Sequence, residues 1–234
     1  MKRFGLILTL LLAGVLSFGC TKKQVSENVV RVGVVGENNA QWDYLAEQFA
    51  KEGVKIEIIE FSEYALPNQA LADKELEMNA FQHYAYFNNE IATRKLDLSV
   101  IGESIIAPLA IYSKKITSLE ELKEKDKIAI PSDPTNGGRS LKLLESAGLI
   151  TVRPEAGFLP VVGDITSNPL NLEIIEIEAA QTPRLLDDVA VAIINGAHAV
   201  DAGFVPKNDA LFIEQTGGSN ENPYVNIIVV RTED

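Results

Sequence analysis

The chain has 234 residues, 46% of them hydrophobic, and a formal net charge of −12. It can fill a sizeable core, but its acidic surface carries no basic stripe to hold a phosphate backbone, so a nucleic-acid partner is not expected. One cysteine and two histidines far apart, His83 and His198, leave no internal disulfide and no Cys/His metal centre to expect.

Residues 1–19 read as a secretory signal. Lys2 and Arg3 give a positive start, and Leu6 to Leu16 is an apolar run too short to span a bilayer. The run ends at Cys20, after Gly19, where a lipidated cysteine would stand. Ser17 and Phe18 depart from the usual lipobox. Removing residues 1–19 lowers the net charge to −14 and leaves 215 residues. Residues 20–28 are polar and read as a tether between the anchor and the fold.

The β-branched run Val29 to Val35 predicts a buried strand. Apolar residues at Trp42, Leu45, Ala46 and Phe49 predict a helix stopped by Gly53. A second strand over Lys55–Phe61, a helix over Pro67–Lys74, a short strand over Glu77–Phe81 and a helix over Tyr84–Lys95 follow. Strand alternating with helix predicts an α/β fold with mostly parallel sheets flanked by helices. Leu98 to Tyr112 is too long for one strand, and Pro108 interrupts it, so the chain is expected to cross here into a second lobe. Ser118 to Glu121 has capping-box spacing for a short helix. A strand over Lys127–Pro131, a helix ending at Gly148, and strands over Leu172–Glu178, Val189–Asn195 and Tyr224–Val230 complete the pattern. The last strand is expected to return to the first lobe. The domains then read 29–110 plus 225–234 for the first lobe and 111–224 for the second. A ligand cleft is expected between them.

Three places carry candidate binding chemistry. The loop Asp133 to Arg139 joins a strand to a helix. Its glycines and the helix start would let backbone N–H groups approach an anion, and Arg139 would grip a carboxylate with two parallel bonds. Asn136 lies in the same loop. On the residues alone, a tight turn with Arg139 in a surface ion pair explains the loop equally well. Asn195 closes an apolar strand and reads either as a turn former or as a ligand contact; Asn226, inside a strand, needs a buried partner. Asn79 to Phe87 gathers four of the chain's sixteen aromatic rings around His83. Phe81, His83 and Tyr86 are expected to face the cleft with Tyr64, which follows the second strand, whereas Phe87 reads as core. No His-Glu-x-x-His, Cys-x-x-Cys, Walker loop or Gly-x-Ser-x-Gly elbow occurs. Neither a cofactor nor catalysis is expected.

The stretches Phe61-Ser-Glu-Tyr-Ala-Leu-Pro-Asn-Gln-Ala-Leu71, Asn79-Ala-Phe-Gln-His83, Tyr112-Ser-Lys-Lys-Ile-Thr-Ser-Leu-Glu-Glu-Leu122, Pro131-Ser-Asp-Pro-Thr-Asn-Gly-Gly-Arg139 and Asn222-Pro-Tyr-Val-Asn226 resemble the NlpA/MetQ lipoproteins. Those are methionine-binding components of bacterial ABC importers. The likeness implies a two-lobe, type II periplasmic-binding-protein fold. It implies an aromatic cage of Tyr64, Phe81, His83 and Tyr86, a carboxylate clamp at Arg139, and head-group contacts from Asn136, Asn195 and Asn226. It also implies a monomer, lipid-anchored through Cys20 in the cell envelope, that delivers methionine to permease and ATPase subunits. A Met-containing dipeptide, another apolar amino acid, or an adhesion role on a diverged lipoprotein are the alternatives. Family members continue past the position of Asp234 with a helical segment, and they differ from this chain around His198.

Overall fold

The computed structural model describes residues 28–216 and 222–234; the expected signal, Cys20 and the tether up to residue 27 lie outside the described residues. Two five-stranded sheets organise the chain. In chain order the first holds β1 (Asn28–Val35), β2 (Val54–Phe61), β3 (Met78–Asn79) and β4 (Leu98–Glu103). The second takes up β5 (Ala110–Tyr112) and β6 (Lys127–Pro131). A small hairpin of β7 (Thr151–Val152) and β8 (Ile165–Ser167) follows, then β9 (Glu173–Ile177), β10 (Val191–Ile194) and β11 (Phe212–Ile213) of the second sheet. β12 (Ile227–Arg231) closes the chain in the first sheet. The spatial orders are β2-β1-β3-β12-β4 and β11-β5-β10-β6-β9.

The expectation of mostly parallel sheets needs correction. β1 runs parallel to β2 and β3, but β12 runs antiparallel to β3 and β4. β6 runs parallel to β9 and β10, but β5 runs antiparallel to β10 and β11. The antiparallel strands are those next to the two crossings. A chain that passes directly from one sheet into the other, without a helix to turn it round, meets its new neighbours head to tail.

Alternation along the strands sets the layers. Val32 and Val34 of β1 pack with Trp42 of α1 (Ala40–Ala50) on one face. On the opposite face, Leu71 of α2 (Pro67–Ala72) and Phe87 of α3 (Tyr84–Arg94) pack with Leu76, Leu98, Ile227 and Val229. Phe87 is therefore core, as its spacing predicts. In the second sheet Ile111, Ile128, Ile130 and Ile193 face Leu141 and Leu144 of α4 (Pro134–Ser146). Their neighbours Tyr112, Ala129, Ala192 and Ile194 face Leu186 of a 3₁₀ helix (Ala179–Asp187) and Ala199 of α5 (Gly196–Asp201). That 3₁₀ helix contains Pro183, which hides it from a helix pattern search.

The expected break at Pro108 is present: β4 ends at Glu103, and β5 begins at Ala110 in the other sheet. The last strand starts later than its apolar run implies, at Ile227, so Asn226 stands before it. Asn226 instead forms a single antiparallel bridge with His83. The two crossing segments bind each other through Ser104 N–H to Asn226 O (2.7 Å) and Asn226 N–H to Ile105 O (2.8 Å).

Leu144 is fully buried between α4 and the second sheet. Leu144→Ala should cost about 2–5 kcal/mol, read as a lower denaturant midpoint at unchanged slope. A loss under about 1 kcal/mol would contradict this packing.

Candidate ligand-binding site

On the first lobe, the ring-bearing stretch is pinned from beneath by a buried amide triad. Asn68 Nδ2 donates to Gln82 Oε1 (2.9 Å), Gln82 Nε2 donates to Asn68 Oδ1 (2.6 Å) and to Asn79 Oδ1 (3.1 Å), and Asn79 Nδ2 donates to Asn68 Oδ1 (3.0 Å). All three side chains are buried. Being fully paired, the triad stiffens the turn from β3 into α3 without an unsatisfied group. His83 then caps α3: its Nδ1 accepts the Tyr86 N–H at 3.0 Å. With Nδ1 accepting, the ring proton sits on Nε2, 3.3 Å from Asn136 Oδ1. Burial, and secondarily the Arg139 guanidinium, pull the His83 pKa down to about 4, so the ring is neutral at pH 7.

Tyr64, Phe81 and Tyr86 form a ring cluster with centroids 5.9–6.1 Å apart. Tyr64 stacks on Phe81, and both meet Tyr86 edge-on. Burial pushes the Tyr64 and Tyr86 phenols far up, so both stay neutral.

On the second lobe, Asp133 caps α4. Its carboxylate accepts the Asn136 N–H (2.9 Å), the Thr135 hydroxyl (2.8 Å) and the Asn136 side-chain amide (2.9 and 3.1 Å). This corrects the anion-cradle expectation, because the protein's own carboxylate already occupies the helix start. The glycines serve packing instead. A Cβ on Gly137 would stand 2.9 Å from Pro131 O, and one on Gly138 would stand 3.0 Å from Leu159 Cα. Asp133 also orients Asn136 so that its Oδ1 accepts from Asn195 Nδ2 (2.8 Å) as well as from His83. Asn195 sits at the start of α5 without a side-chain capping bond. Its Oδ1 is buried and has no donor among the described residues.

Arg139, three residues after Asn136 on α4, is 3% exposed. Its two-pronged edge is engaged by Glu214: Nε donates to Oε1 at 2.8 Å, and Nη2 donates to Oε2. Nη2 also donates to Ala107 O (3.0 Å), and the Tyr224 ring lies 4.2 Å from the guanidinium carbon. The expected two-bond grip on a ligand carboxylate is therefore corrected. That edge is taken, and Nη1 is the prong without a partner among the described residues.

Tyr64, Phe81, His83, Tyr86, Asn136, Arg139, Asn195 and Asn226 all line one inner cavity of about 50 Å³, together with Gln82, Ala107, Gly196 and Ala197. His198 stands behind it. Its buried ring packs on Tyr64 at 5.0 Å and lines a larger outer cleft of about 870 Å³. Asp201 bridges that cleft, accepting N–H bonds from Glu37 and Asn38 of the loop after β1. Gly36 in that loop has φ +94°, and a Cβ there would stand 2.5 Å from the Asp201 carboxylate. Sequence reasoning missed Gln82, Glu214 and Tyr224. Gln82 sits inside the aromatic stretch and Tyr224 two residues before Asn226, so proximity offered a signal. Glu214 had none.

His83 and His198 are both shifted below their ordinary pKa, chiefly by burial. The unfolded chain binds protons between pH 6.5 and about 4 that the folded chain refuses. Stability therefore falls as pH drops through that window and is complete above it. His83 alone should account for about 2 kcal/mol between pH 7.5 and pH 5. Urea unfolding across that range should show the fall, reduced in His83→Gln; an equal fall in that variant would contradict the assignment.

The model of the NlpA lipoprotein family matches residues 30–234. The chain is 44% identical over 225 residues to the probable D-methionine-binding lipoprotein MetQ of Vibrio cholerae, covering 95% of this chain and 80% of that protein. Among solved structures it matches a periplasmic substrate-binding protein of an ABC transporter from Coxiella burnetii, with TM-score 0.80 and 43% identity over 88% of this chain and 86% of that one. It also matches a Burkholderia cenocepacia nutrient-binding protein bound to methionine, with TM-score 0.81 and 38% identity over 88% of this chain and 86% of that one. With the family model running from the first strand to the last residue, and with lipoproteins and substrate-binding proteins on every side, the chain belongs to the NlpA lipoprotein family.

Proposed function

We propose that this protein captures free methionine in the inner cavity, closes on it, and delivers it to an ABC importer without covalent chemistry. The observation that carries the reading is the division of labour across the cavity. One side is a cluster of rings from the first sheet. Facing it stand Arg139 and Asn195, whose Nη1 and Oδ1 have no partner among the described residues, and Asn226, bridged to His83, completes the lining. An α-amino acid matches this pattern end for end. Its carboxylate meets the free guanidinium prong, its ammonium donates to Asn195 Oδ1, and a thioether tail lies against aromatic edges. The roles of Tyr64, Phe81, His83, Tyr86, Asn136, Arg139, Asn195 and Asn226 belong to this proposal.

In the same reading residues 29–110 with 225–234 and residues 111–224 move as two bodies about the crossing segments. Cys20 carries the lipid that holds the monomer to the cell envelope, and the closed body meets the permease of a transporter driven by its ATPase. The naming of the Vibrio cholerae relative as a probable D-methionine-binding lipoprotein, and the methionine in the Burkholderia cenocepacia structure, support the choice of ligand.

Thermal unfolding with rising L- or D-methionine should raise the midpoint as ligand exceeds its dissociation constant, with no shift from glutamate or lysine. No shift with either enantiomer would overturn the proposal. By calorimetry, Asn195→Ala should weaken methionine binding at least about tenfold, and Arg139→Ala about 100-fold or more. Unchanged affinity in both would remove the head-group assignment.

A further inference from the structure

We infer that Glu214 is a specificity-determining residue: its carboxylate cancels the charge of Arg139, and so restricts the cavity to ligands that bring their own ammonium group. The inference rests on the amino-acid reading above and deepens it.

Glu214 lies just after β11, on the segment that leads back to the first sheet. Its side chain is only 16% exposed, and every contact fixes it. Oε1 accepts from Arg139 Nε, and Oε2 accepts from Arg139 Nη2 and from the Leu109 N–H at 3.1 Å. The Glu214 N–H donates back to Leu109 O at 2.9 Å. Ala107 O and the Tyr224 ring hold the guanidinium from two further directions. These partners come from both crossing segments, so Arg139 cannot swing its two-pronged edge towards a ligand without breaking the junction between the lobes.

The electrostatic consequence is specific. Arg139 lines the small cavity, and Glu214, outside the lining, pairs with it, so the two together bring no net charge to the site. A carboxylate without an ammonium would bury a charge that nothing cancels, and such burial is costly. A zwitterion adds no net charge. Its ammonium finds Asn195 Oδ1, a buried acceptor with no donor among the described residues, on the side where Asp133 adds negative potential. His83 supplies no compensating positive charge, because the neutral ring spends Nδ1 on the Tyr86 N–H and Nε2 on Asn136. Without Glu214's charge the guanidinium becomes a net cation facing the ligand, and a plain carboxylate becomes acceptable.

Calorimetry with methionine and with 4-(methylthio)butanoate, its analogue lacking the amino group, tests this on wild type, Glu214→Gln and Glu214→Asp. Wild type should prefer methionine by about 100-fold or more. Glu214→Gln, which keeps the shape and loses the charge, should shrink that preference at least about tenfold, with the analogue binding tighter than to wild type. Glu214→Asp should keep the preference even where affinity falls. A purely structural role would weaken both ligands in proportion and leave the ratio unchanged, and that result in Glu214→Gln overturns the inference. Wild type binding the analogue within tenfold of methionine overturns it too, independently of how the variants fold. Wild type failing to bind methionine instead overturns the proposed function itself.

Discussion

The buried ion pair between Arg139 and Glu214 is the constraint on which the site depends. A guanidinium 3% exposed needs a fixed counter-charge, and the counter-charge here comes from a crossing segment instead of the helix that carries the arginine. Removing one partner of such a pair leaves an uncompensated buried charge, which is far more costly than never having built the pair. The pair thus couples three things: the start of α4, the junction between the sheets, and the floor of the cavity. Leu109 and Ala107 on one crossing, with Glu214 and Tyr224 on the other, make that coupling a matter of direct contact.

Around this charge pair the protein uses neutral amides. Asn136 is the central one. Asp133 holds its nitrogen, so its oxygen is presented to His83 from the first lobe and to Asn195 from the second. One side chain thereby touches both the ring-bearing stretch of the first lobe and the residue that opens α5. The Asn68–Asn79–Gln82 triad does the corresponding work beneath the rings. The triad is fully paired, and the amide network around Asn136 leaves one buried atom over, Asn195 Oδ1, on a residue that lines the cavity. A polar group kept unpaired in a packed interior stores a preference for the ligand group that would satisfy it.

Much of the architecture was legible because it depends on short-range patterns. The β-branched run Val29 to Val35, the apolar stretch in Lys127 to Pro131, the helical spacing at Trp42, and Pro108 in an overlong extended run each reflect local steric and burial rules. The structure agrees at each of those places. Strand direction was not legible in the same way. β12 is as apolar as a parallel core strand, yet it pairs antiparallel, because its direction follows from where the chain re-enters the sheet. The 3₁₀ helix over Ala179–Asp187 was hidden by Pro183, and Asn226 lost its place inside a strand to a bridge opposite His83.

The eight candidate side chains converge on one cavity; residue types raised most of them, with other readings open at Arg139 and Asn195, and the family resemblance completed the set with Asn136. Sequence by itself determined the α/β class and the two crossings, and it picked out the residues that line the cavity. Tertiary structure alone decided how those groups are employed. Asp133 takes the helix start that an anion was expected to use, and Glu214, 75 residues from Arg139, takes the forked edge expected for the ligand. The physical reason is that a buried charge is satisfied by whichever opposite charge the fold brings within about 3 Å, and no local pattern records that meeting.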